Sequence, residues 1–348
     1  MSTFGLQSVD PGLAETMLSR LDVVEEALHQ AAHADDPFID EAAGYLLRAG
    51  GKRFRPMLTL LAAQLGEQDG DDVVKAAVAV ELVHLASLYH DDVMDEAPRR
   101  RGAESANARW TNTLAILTGD FLFARSSGVL ADLGPEAVRI QAETFERLVA
   151  GQIRETVGPS AGEDAVSHHL QVLADKTGVL IATAARYGAM FSGCSAEVTE
   201  ALRQYGEAIG IAFQIADDIL DIASPSEVSG KTPGTDLREG VMTLPMLLVQ
   251  AANLESDVHL RSLLGRPLDD DAEHAEALAL LRENHAMDLA RDTARQWSAR
   301  AAEALAPIRA SLAAEMVAAS EDSPSLLRRQ AALSALLLLC DDVVDRVS

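Results

Sequence analysis

The sequence predicts an all-α fold, and three features of its composition and patterning carry this prediction. Ala and Leu dominate the 348 residues, and both are strong helix formers. Aromatic residues, which strands favour, make up only 4%. We find no sustained alternation of apolar and polar residues and no Asn-Gly or Asp-Gly turn between apolar segments. Because 48% of the residues are hydrophobic, we expect one domain over residues 1–348, a bundle of roughly ten to thirteen helices.

Helical spacing of apolar residues and the breaks between them place the elements. Residues 1–10 are expected to form a flexible tail, and Pro11 suits the first turn of the first helix. Turn-forming residues interrupt the helical pattern at Asp35-Asp36-Pro37, Gly50-Gly51, Pro98, Gly134-Pro135 and in a loop at 224–240. The predicted helices run over residues 11–33, 39–47, 56 onward, 75–96, 112–133, 135–154, 168–190 and 198–222, followed by several more up to Asp345.

The charge balance limits the partners of the chain. Acidic residues outnumber basic ones by 54 to 29, which gives a formal net charge of −25. Such a field repels polyanions, so nucleic acid is excluded as a partner, whereas Mg²⁺ is attracted. Basic residues that cluster against this average therefore carry information about function.

The sequence also predicts a cytoplasmic location. Its two cysteines, Cys194 and Cys340, have no metal-ligand spacing and form no disulfide framework, which fits a reducing cytosol. The first residues lack a basic region followed by an apolar core, so we expect no signal peptide. No apolar run approaches the ~20 residues of a membrane span.

Two acidic triplets of the form Asp-Asp-x-x-Asp carry the strongest functional signal. They are Asp91, Asp92 and Asp95, and Asp217, Asp218 and Asp221. Positions four apart lie on one face of a helix, so the first and last Asp of each triplet can bind metal together. Clustered carboxylates suit Mg²⁺, which shares its shell with waters and substrate phosphates. The sequence therefore predicts a site that holds a diphosphate through metal ions.

The residues around a triplet decide how much it means. A pair of like charges four apart weakens a helix by a few tenths of a kcal/mol, and a helix C-terminus disfavours negative charge, so bound cations would offset both effects. The alternative is a solvated acidic face. A third triplet, Asp341, Asp342 and Asp345, has no upstream His or Gln and no run of cations after it. We expect this third triplet to be a solvated helix end.

Cations gather at two places despite the acidic average. The two clusters are Lys52, Arg53 and Arg55, just before a predicted helix, and Arg99, Arg100 and Arg101, in the turn after the first triplet. Unpaired amide N–H groups at a helix N-terminus add to the attraction for anions. Each cluster is either an anion site or a solvated basic turn.

Six motifs in order make the functional interpretation specific. They are GGKRFRP, HLASLYHDDVMDEAPRRRG, GDFLF at 119–123, Lys176-Thr177, FQIADDILD at 213–221 and GKTPGTDLREG at 230–240. Together they resemble the trans-type (all-E) polyprenyl diphosphate synthase family, long-chain type, and they cover residues 40 to 250.

The resemblance implies a helical bundle of the isoprenoid synthase type around a central cavity. The triplets would face each other across that cavity and hold three Mg²⁺ on an allylic diphosphate. Asp91 and Asp95 would be metal ligands with Asp92 in support, and Asp217 would be a ligand assisted by Asp218 and Asp221, partly through water. The implied catalytic set is Asp91, Asp95, Lys176 and Asp217.

The resemblance also assigns the basic residues to two substrates. Isopentenyl diphosphate would bind Lys52, Arg55, His84 and Arg101. The allylic diphosphate and its metal shell would contact Arg100, Lys176, Thr177, Gln214 and Lys231. His84 lies two turns before Asp91 on roughly the same face, whereas His90 is rotated off that face and is expected to be structural.

One position departs from the family pattern. Where the family commonly carries a second lysine before Thr-Leu-Pro, this chain has Val241. We expect no phosphate contact there, with Lys231 or Arg238 as compensation or a weaker affinity for the allylic substrate.

Small residues below the first triplet favour a long product. Ala86 and Ser87 lie five and four positions before Asp91, and Ser87 shares its helix face, so the pocket for the growing chain stays open and the product is hexaprenyl or longer. The alternatives are a geranylgeranyl or farnesyl diphosphate synthase, a terpene cyclase, whose second metal motif Asp217–Asp221 does not fit, and a non-catalytic subunit of a heteromeric synthase. The family also implies a homodimer and, at most, peripheral membrane contact for product release.

Overall fold

The computed structural model describes residues 9–67, 70–223, 233–318 and 323–347, and it confirms the all-α fold. The first helices are α1 (Pro11–Ala32), α2 (Pro37–Arg48), α3 (Phe54–Ala63), α4 (Asp71–Met94), α5 (Ala106–Arg109), α6 (Asn112–Ala131), α7 (Pro135–Val157), α8 (Ala165–Leu173) and α9 (Val179–Phe191). They are followed by α10 (Ala196–Ala223), α11 (Thr235–Glu239), α12 (Leu244–Ala252), α13 (Val258–Leu263), α14 (Asp271–Glu283), α15 (Ala286–Ala304), α16 (Ala306–Ala318) and α17 (Pro324–Asp345).

The chain clusters into two compact units. Unit 1 comprises Met1–Glu146, Leu180–Gly206 and Ala304–Leu337, and unit 2 comprises Arg147–Val179, Glu207–Glu303 and Leu338–Ser348. The first triplet, both basic clusters and His84 belong to unit 1. The second triplet and Lys176-Thr177 belong to unit 2. A single domain over residues 1–348 stays a prediction.

Capping residues explain where the first helices begin. The Asp10 carboxylate accepts the Leu13 amide at 2.7 Å, and Pro11 occupies the first turn of α1. Asp36 caps α2 in the same way, with Pro37 in its first turn. The sequence predicts that α2 begins at residue 39, because Asp35-Asp36-Pro37 is interpreted as a break between helices. In the structure Asp36 caps the helix and Pro37 opens it, so α2 begins two residues earlier.

The helix that carries the first triplet is the core element of unit 1. The buried residues of α4 run almost continuously from Val73 to Ala86, and Tyr89 and Asp92 follow near its end. It packs against α1, α3 and α6. Gly119 of α6 allows close approach, because a Cβ there would overlap the His90 imidazole and lie 3.0 Å from the Ala86 carbonyl oxygen.

Three elements differ from the predicted pattern. The predicted helix over 168–190 is divided by a π-helical turn, Ala174–Gly178, into α8 and α9. A two-stranded hairpin, β1 (Arg99–Arg100) and β2 (Ala103–Glu104), replaces the predicted arginine turn. The short helix α11 lies within the predicted loop at 224–240, of which residues 224–232 fall outside the described chain. Short helices of this kind raise the number of helices above the predicted ten to thirteen.

Two helices are long and apolar enough to cross a membrane by length and composition alone. In α4, 72% of the most apolar 18-residue segment is buried within the chain, as in the core helix of a globular protein. In α6, 33% of the corresponding segment is buried. Neither helix was expected to meet this criterion, because polar residues interrupt the apolar runs of both.

Candidate active site

The first triplet ends α4, and its three carboxylates have different surroundings. Asp92 has no exposed surface; one oxygen accepts a 2.6 Å hydrogen bond from Arg100 Nε, and the other is buried without a hydrogen-bond partner among the described residues. Asp95 is 54% exposed and lies 3.8 Å from Arg100 Nη2. Asp91 is half-buried, and its carbonyl accepts the Asp95 amide. Asp92 is therefore fixed by the protein, while Asp95 faces solvent.

The hairpin after α4 separates two adjacent arginines. Arg101 and Gly102 occupy its turn with φ of 52° and 79°, which is the geometry of a type I′ turn that fits the twist of two strands. Arg100 turns toward the first triplet. Arg101 instead donates from Nη1 to the carbonyl oxygens of Leu46, at 2.9 Å, and Gly50. Such a tight turn explains how neighbouring arginines can serve different groups.

Arg53 is the structural member of the first basic cluster. It is 4% exposed and has a left-handed backbone conformation. Its Nε and Nη2 donate to Glu25 at 2.7 and 2.8 Å, and its Nη1 donates to Glu81 at 3.2 Å. These ion pairs raise the pKa of Arg53 although burial lowers it. Lys52 is exposed and Arg55 is half-buried, so they remain the candidates for binding an anion.

Buried charges set the electrostatics of this region. Burial raises the pKa of Glu81, against the effect of the arginines beside it. Burial also lowers the pKa of Arg55 and of Arg101. Burial and the charges of Arg55 and Arg101 hold the pKa of His84 well below its usual value, so the His84 imidazole is neutral at physiological pH. Since arginine stays protonated, Arg55 and Arg101 remain cationic beside a neutral imidazole.

The two residues predicted to set product length lie on α4 below the triplet. Ala86 is buried, and its carbonyl faces Gly119 of α6. Ser87 is half-buried, and its hydroxyl donates to the His84 carbonyl at 2.9 Å. His90 contacts the Ile116 carbonyl at 3.1 Å and Asp120 at 3.3 Å.

In unit 2 the second triplet lies on α10, and each of its carboxylates again has a different partner. Asp217 is 43% exposed and pairs with Arg346 Nη2 at 3.1 Å. Asp221 accepts the amides of Thr235 and Asp236, both at 3.2 Å, and so anchors the start of α11. Asp218 is buried and accepts from Gln214 Nε2 at 3.3 Å. Asp217 is thus more exposed than Asp218, while Asp218 and Asp221 are held by the protein; their roles at a metal stay a prediction.

The π-helical turn presents the Lys176-Thr177 pair. An extra residue in a helical turn is frequent at functional sites. Here Lys176 Nζ donates to Glu155 at 2.6 Å, and the Thr177 hydroxyl donates to Gln214 Oε1 at 3.5 Å. The turn is held by Asp175, a buried carboxylate that accepts from Arg147, Gln171 and Arg154.

Some residues of the region were missed by sequence reasoning or fall beyond its reach. Glu81, His169 and Asp175 carry no signal by spacing, because their roles depend on tertiary contacts. Arg346 directly follows the third triplet. Because it is a single cation and not part of a run, the sequence analysis gave it no role, although it contacts Asp217. Lys231 lies outside the described residues.

Arg238 was one of two residues expected to replace the phosphate contact that the family lysine makes where this chain has Val241. Val241 is exposed. Arg238 donates to the carbonyls of Leu268 and Asp269, at 2.9 and 3.1 Å, and pairs with Asp271. These contacts hold Arg238 against the start of α14.

The donor set of the triplets fits Mg²⁺. In the described part of the chain, no group of three or more His, Cys, Asp or Glu side chains forms a ready-made metal cage. Mg²⁺ commonly binds one or two protein carboxylates together with waters and phosphate oxygens. Asp92 and Asp218 each keep one buried carboxylate oxygen without a hydrogen-bond partner among the described residues, and such oxygens are suited to a cation or its waters.

Comparisons with known proteins identify the family of this chain. Residues 36–281 match the model of the Polyprenyl synthetase family. Nonaprenyl diphosphate synthase of Mycobacterium tuberculosis is 51% identical over 284 residues, which cover 81% of this chain and 85% of that protein.

Solved structures extend the similarity over almost the whole chain. Geranylgeranyl pyrophosphate synthase of Corynebacterium glutamicum, complexed with calcium and isoprenyl diphosphate, aligns with a TM-score of 0.83 and 43% identity over 97% of this chain and 98% of that one. Decaprenyl diphosphate synthase of Rhodobacter capsulatus aligns with a TM-score of 0.81 and 32% identity over 97% and 99% of the two chains. The chain thus belongs to the trans-type polyprenyl diphosphate synthase family and is a prenyltransferase of its long-chain type.

Proposed function

We propose that this enzyme condenses isopentenyl diphosphate head-to-tail with an allylic diphosphate and releases an all-trans polyprenyl diphosphate, hexaprenyl or longer. The observation that carries the proposal is the set of polar partners around the first two acidic triplets. Arg100 pairs with Asp92 of the first triplet, and Gln214, which bonds Thr177, donates to Asp218 of the second. Beside the third triplet, Arg346 acts on Asp342 but pairs with Asp217 of the second triplet.

Three Mg²⁺ ions are expected per active site. Asp91, Asp95 and Asp217 would ligate them, and Asp92, Asp218 and Asp221, which the protein already holds, would orient the ligands or their waters. When bound, the ions neutralise the diphosphate as Lewis acids and so make it a competent leaving group. Arg100, Lys176, Thr177, Gln214 and Lys231 would bind the oxygens of the allylic diphosphate.

Isopentenyl diphosphate would be held by Lys52, Arg55 and Arg101, with neutral His84 donating one hydrogen bond. Two carboxylates, Glu25 and Glu81, keep the buried guanidiniums in place before substrate arrives. Such preorganised charges do not have to rearrange when the anion binds.

The reaction follows from this arrangement. The allylic C–O bond breaks, its electron pair leaves with the diphosphate, and a delocalised allylic cation remains. The double bond of isopentenyl diphosphate attacks that cation, forms the new C–C bond and then loses a proton, for which the departing diphosphate is the base. Exclusion of water from the site would protect the cation.

Product length is assigned to the α4 residues below the triplet. The small side chains of Ala86 and Ser87 leave room for a growing tail, which supports a long product. A product of geranylgeranyl length would require bulky residues outside Ala86 and Ser87 to close the end of the pocket for the growing chain.

We also infer a homodimer in the cytoplasm with at most peripheral membrane contact. Only 33% of the most apolar 18-residue segment of α6 is buried within the chain, and Ile116 and Leu117 are 43% and 57% exposed. Exposed apolar surface on this scale favours a second subunit over solvent. Sedimentation at equilibrium would return twice the chain mass if this inference holds.

The test is elongation by the purified protein alone. With Mg²⁺, farnesyl diphosphate and labelled isopentenyl diphosphate, label should enter material that extracts into organic solvent, and a chelator should stop it. A non-catalytic subunit of a heteromeric synthase would give no product by itself. That result would overturn the proposal.

A further inference from the structure

We propose that His169 is a positioning residue whose Nε2–H group holds the carboxylate of Asp218 in the second triplet. No motif of the sequence pointed to His169. The inference rests on the proposed function, because it assumes that the second triplet binds Mg²⁺ with a diphosphate.

His169 and Asp218 lie against each other in unit 2, with little of either side chain exposed. His169 Nε2 lies 3.5 Å from Asp218 Oδ2, and the two side chains are 15% and 7% exposed. Both atoms are buried, and neither has a hydrogen-bond partner among the described residues. A buried polar atom left without a hydrogen bond destabilises the fold, so we expect these two facing atoms to form a hydrogen bond with each other.

The other oxygen of Asp218 is already held. Oδ1 accepts from Gln214 Nε2 at 3.3 Å, and Gln214 Oε1 accepts from the Thr177 hydroxyl at 3.5 Å. This chain of contacts fixes one side of the carboxylate. His169 stands at the other side, so that the two groups together determine its rotation.

The chemistry requires a single arrangement of the proton. An ionised carboxylate only accepts hydrogen bonds, so His169 must carry its proton on Nε2. A separation of 3.5 Å is long for this bond, but bonds in active sites commonly tighten when the complex forms. Partners of metal-binding carboxylates typically change metal affinity by about 10–100-fold when they are removed.

The neighbouring His168 supplies a matched control. It lies on the same helix α8, but its two ring nitrogens contact Glu163 at 3.0 Å and the Arg154 carbonyl at 3.2 Å. A substitution of His168 changes the same helix by the same volume without touching the second triplet.

The experiment compares four variants by isothermal titration of Mg²⁺ in the presence of inorganic diphosphate, which stands in for the substrate headgroup. His169→Phe and His169→Asn should weaken Mg²⁺ binding by about tenfold or more, because neither places a donor where Nε2 was. His169→Gln should stay close to wild type, since its amide nitrogen reaches the Nε2 position. His168→Phe should also bind as wild type does. Melting temperatures in chelator should be alike for His169→Gln and His169→Asn.

Two results would overturn the inference. One is wild-type Mg²⁺ binding in both His169→Phe and His169→Asn, and the other is an equal loss in His169→Gln and His169→Asn. The comparison of His169→Gln with His169→Asn keeps the test valid if the larger phenylalanine in His169→Phe prevents folding. Calorimetry needs no turnover, so it tests the role of His169 independently of the enzymatic activity. A wild-type protein that binds Mg²⁺ and diphosphate but does not elongate isopentenyl units would refute the proposed function, and the comparison of the His169 variants would still decide the inference about His169.

Discussion

Asp91 and Asp341 occupy the same position of the same Asp-Asp-x-x-Asp pattern, each at the end of a long helix. The residues around Asp91 include the buried Asp92 and the guanidinium of Arg100. Asp341 is exposed, and burial with the neighbouring carboxylates of Asp345 and Asp341 raises the pKa of Asp342. The same sequence pattern therefore has different surroundings in the two triplets: Asp91 lies beside the ion pair of the buried Asp92 with Arg100, whereas Asp341 belongs to a crowded, partly solvated helix end.

Asp91→Ala should reduce turnover by at least about 100-fold, because it removes a proposed ligand of the metal that would stabilise charge in the transition state. Asp341→Ala should leave turnover within about twofold, as expected of a surface substitution. Steady-state rates with farnesyl and isopentenyl diphosphates measure both. Equal losses would show that flanking residues do not distinguish the triplets.

Arg346 adds a second residue-scale prediction. Its guanidinium lies 3.1 Å from Asp217 and 4.8 Å from the centre of the Phe213 ring, where it would compete with the proposed metal ion for the same carboxylate. An exposed ion pair is worth at most about 1 kcal/mol, so Arg346→Gln should lower the Mg²⁺ concentration for half-maximal rate by at most about fivefold. Arg300→Gln, whose guanidinium stacks on Trp297, is the control. A higher Mg²⁺ requirement in Arg346→Gln would contradict competition and indicate that Arg346 supports binding.

At the scale of elements, close helix packing in unit 1 depends on glycine. A Cβ on Gly188 of α9 would overlap the Thr59 carbonyl of α3 and lie 2.9 Å from Ala62 Cβ. A Cβ on Gly128 of α6 would meet no neighbouring atom within 4 Å, and Gly128 is exposed. The two positions therefore contrast a closely packed glycine with one that has open space around it.

Gly188→Ala should therefore lower the free energy of unfolding by about 1–3 kcal/mol, the usual cost of overpacking. Gly128→Ala should raise it by about 0.5–1 kcal/mol, because alanine restricts the unfolded chain and favours a helix. Urea unfolding followed by circular dichroism gives both values. A stabilised Gly188→Ala protein would mean that α3 and α9 are not packed this closely.

Product length is also a property of an element, namely the face of α4 below Asp91. Ser87→Phe should shorten the product toward farnesyl or geranylgeranyl length, because the ring would fill the path of the growing chain. Ser127→Phe, on α6, controls for added bulk. Chromatography of the dephosphorylated products reports the lengths. An unchanged product would place the floor of the pocket on another helix.

At the scale of the whole molecule, patterns along the chain predicted most of the fold. The all-α class and long helices such as α4 and α10 follow from helical periodicity and Ala- and Leu-rich composition. The π-helical turn at Ala174–Gly178 was not predictable, because its backbone is stabilised by the tertiary partners of Asp175 rather than by local propensity. The hairpin at Arg99–Glu104 was hidden for a similar reason, since Arg101 takes a positive φ that sequence rules reserve for Gly, Asn and Asp.

The candidate site was predictable to a similar degree. Motif order located both triplets and most of the basic residues. It left Arg53 without a role, because only the fold brings Glu25 and Glu81 against that side chain. Nor did it indicate His169, whose partner Asp218 lies forty-nine residues away in the sequence.

The decisive measurement for the long-chain synthase assignment is the chain-length distribution of the product made by the purified protein with Mg²⁺, farnesyl diphosphate and labelled isopentenyl diphosphate. We expect all-trans products of hexaprenyl length or longer that disappear in Asp91→Ala. Products that stop at geranylgeranyl would contradict the long-chain assignment, and an absence of any elongation would contradict the enzymatic activity itself.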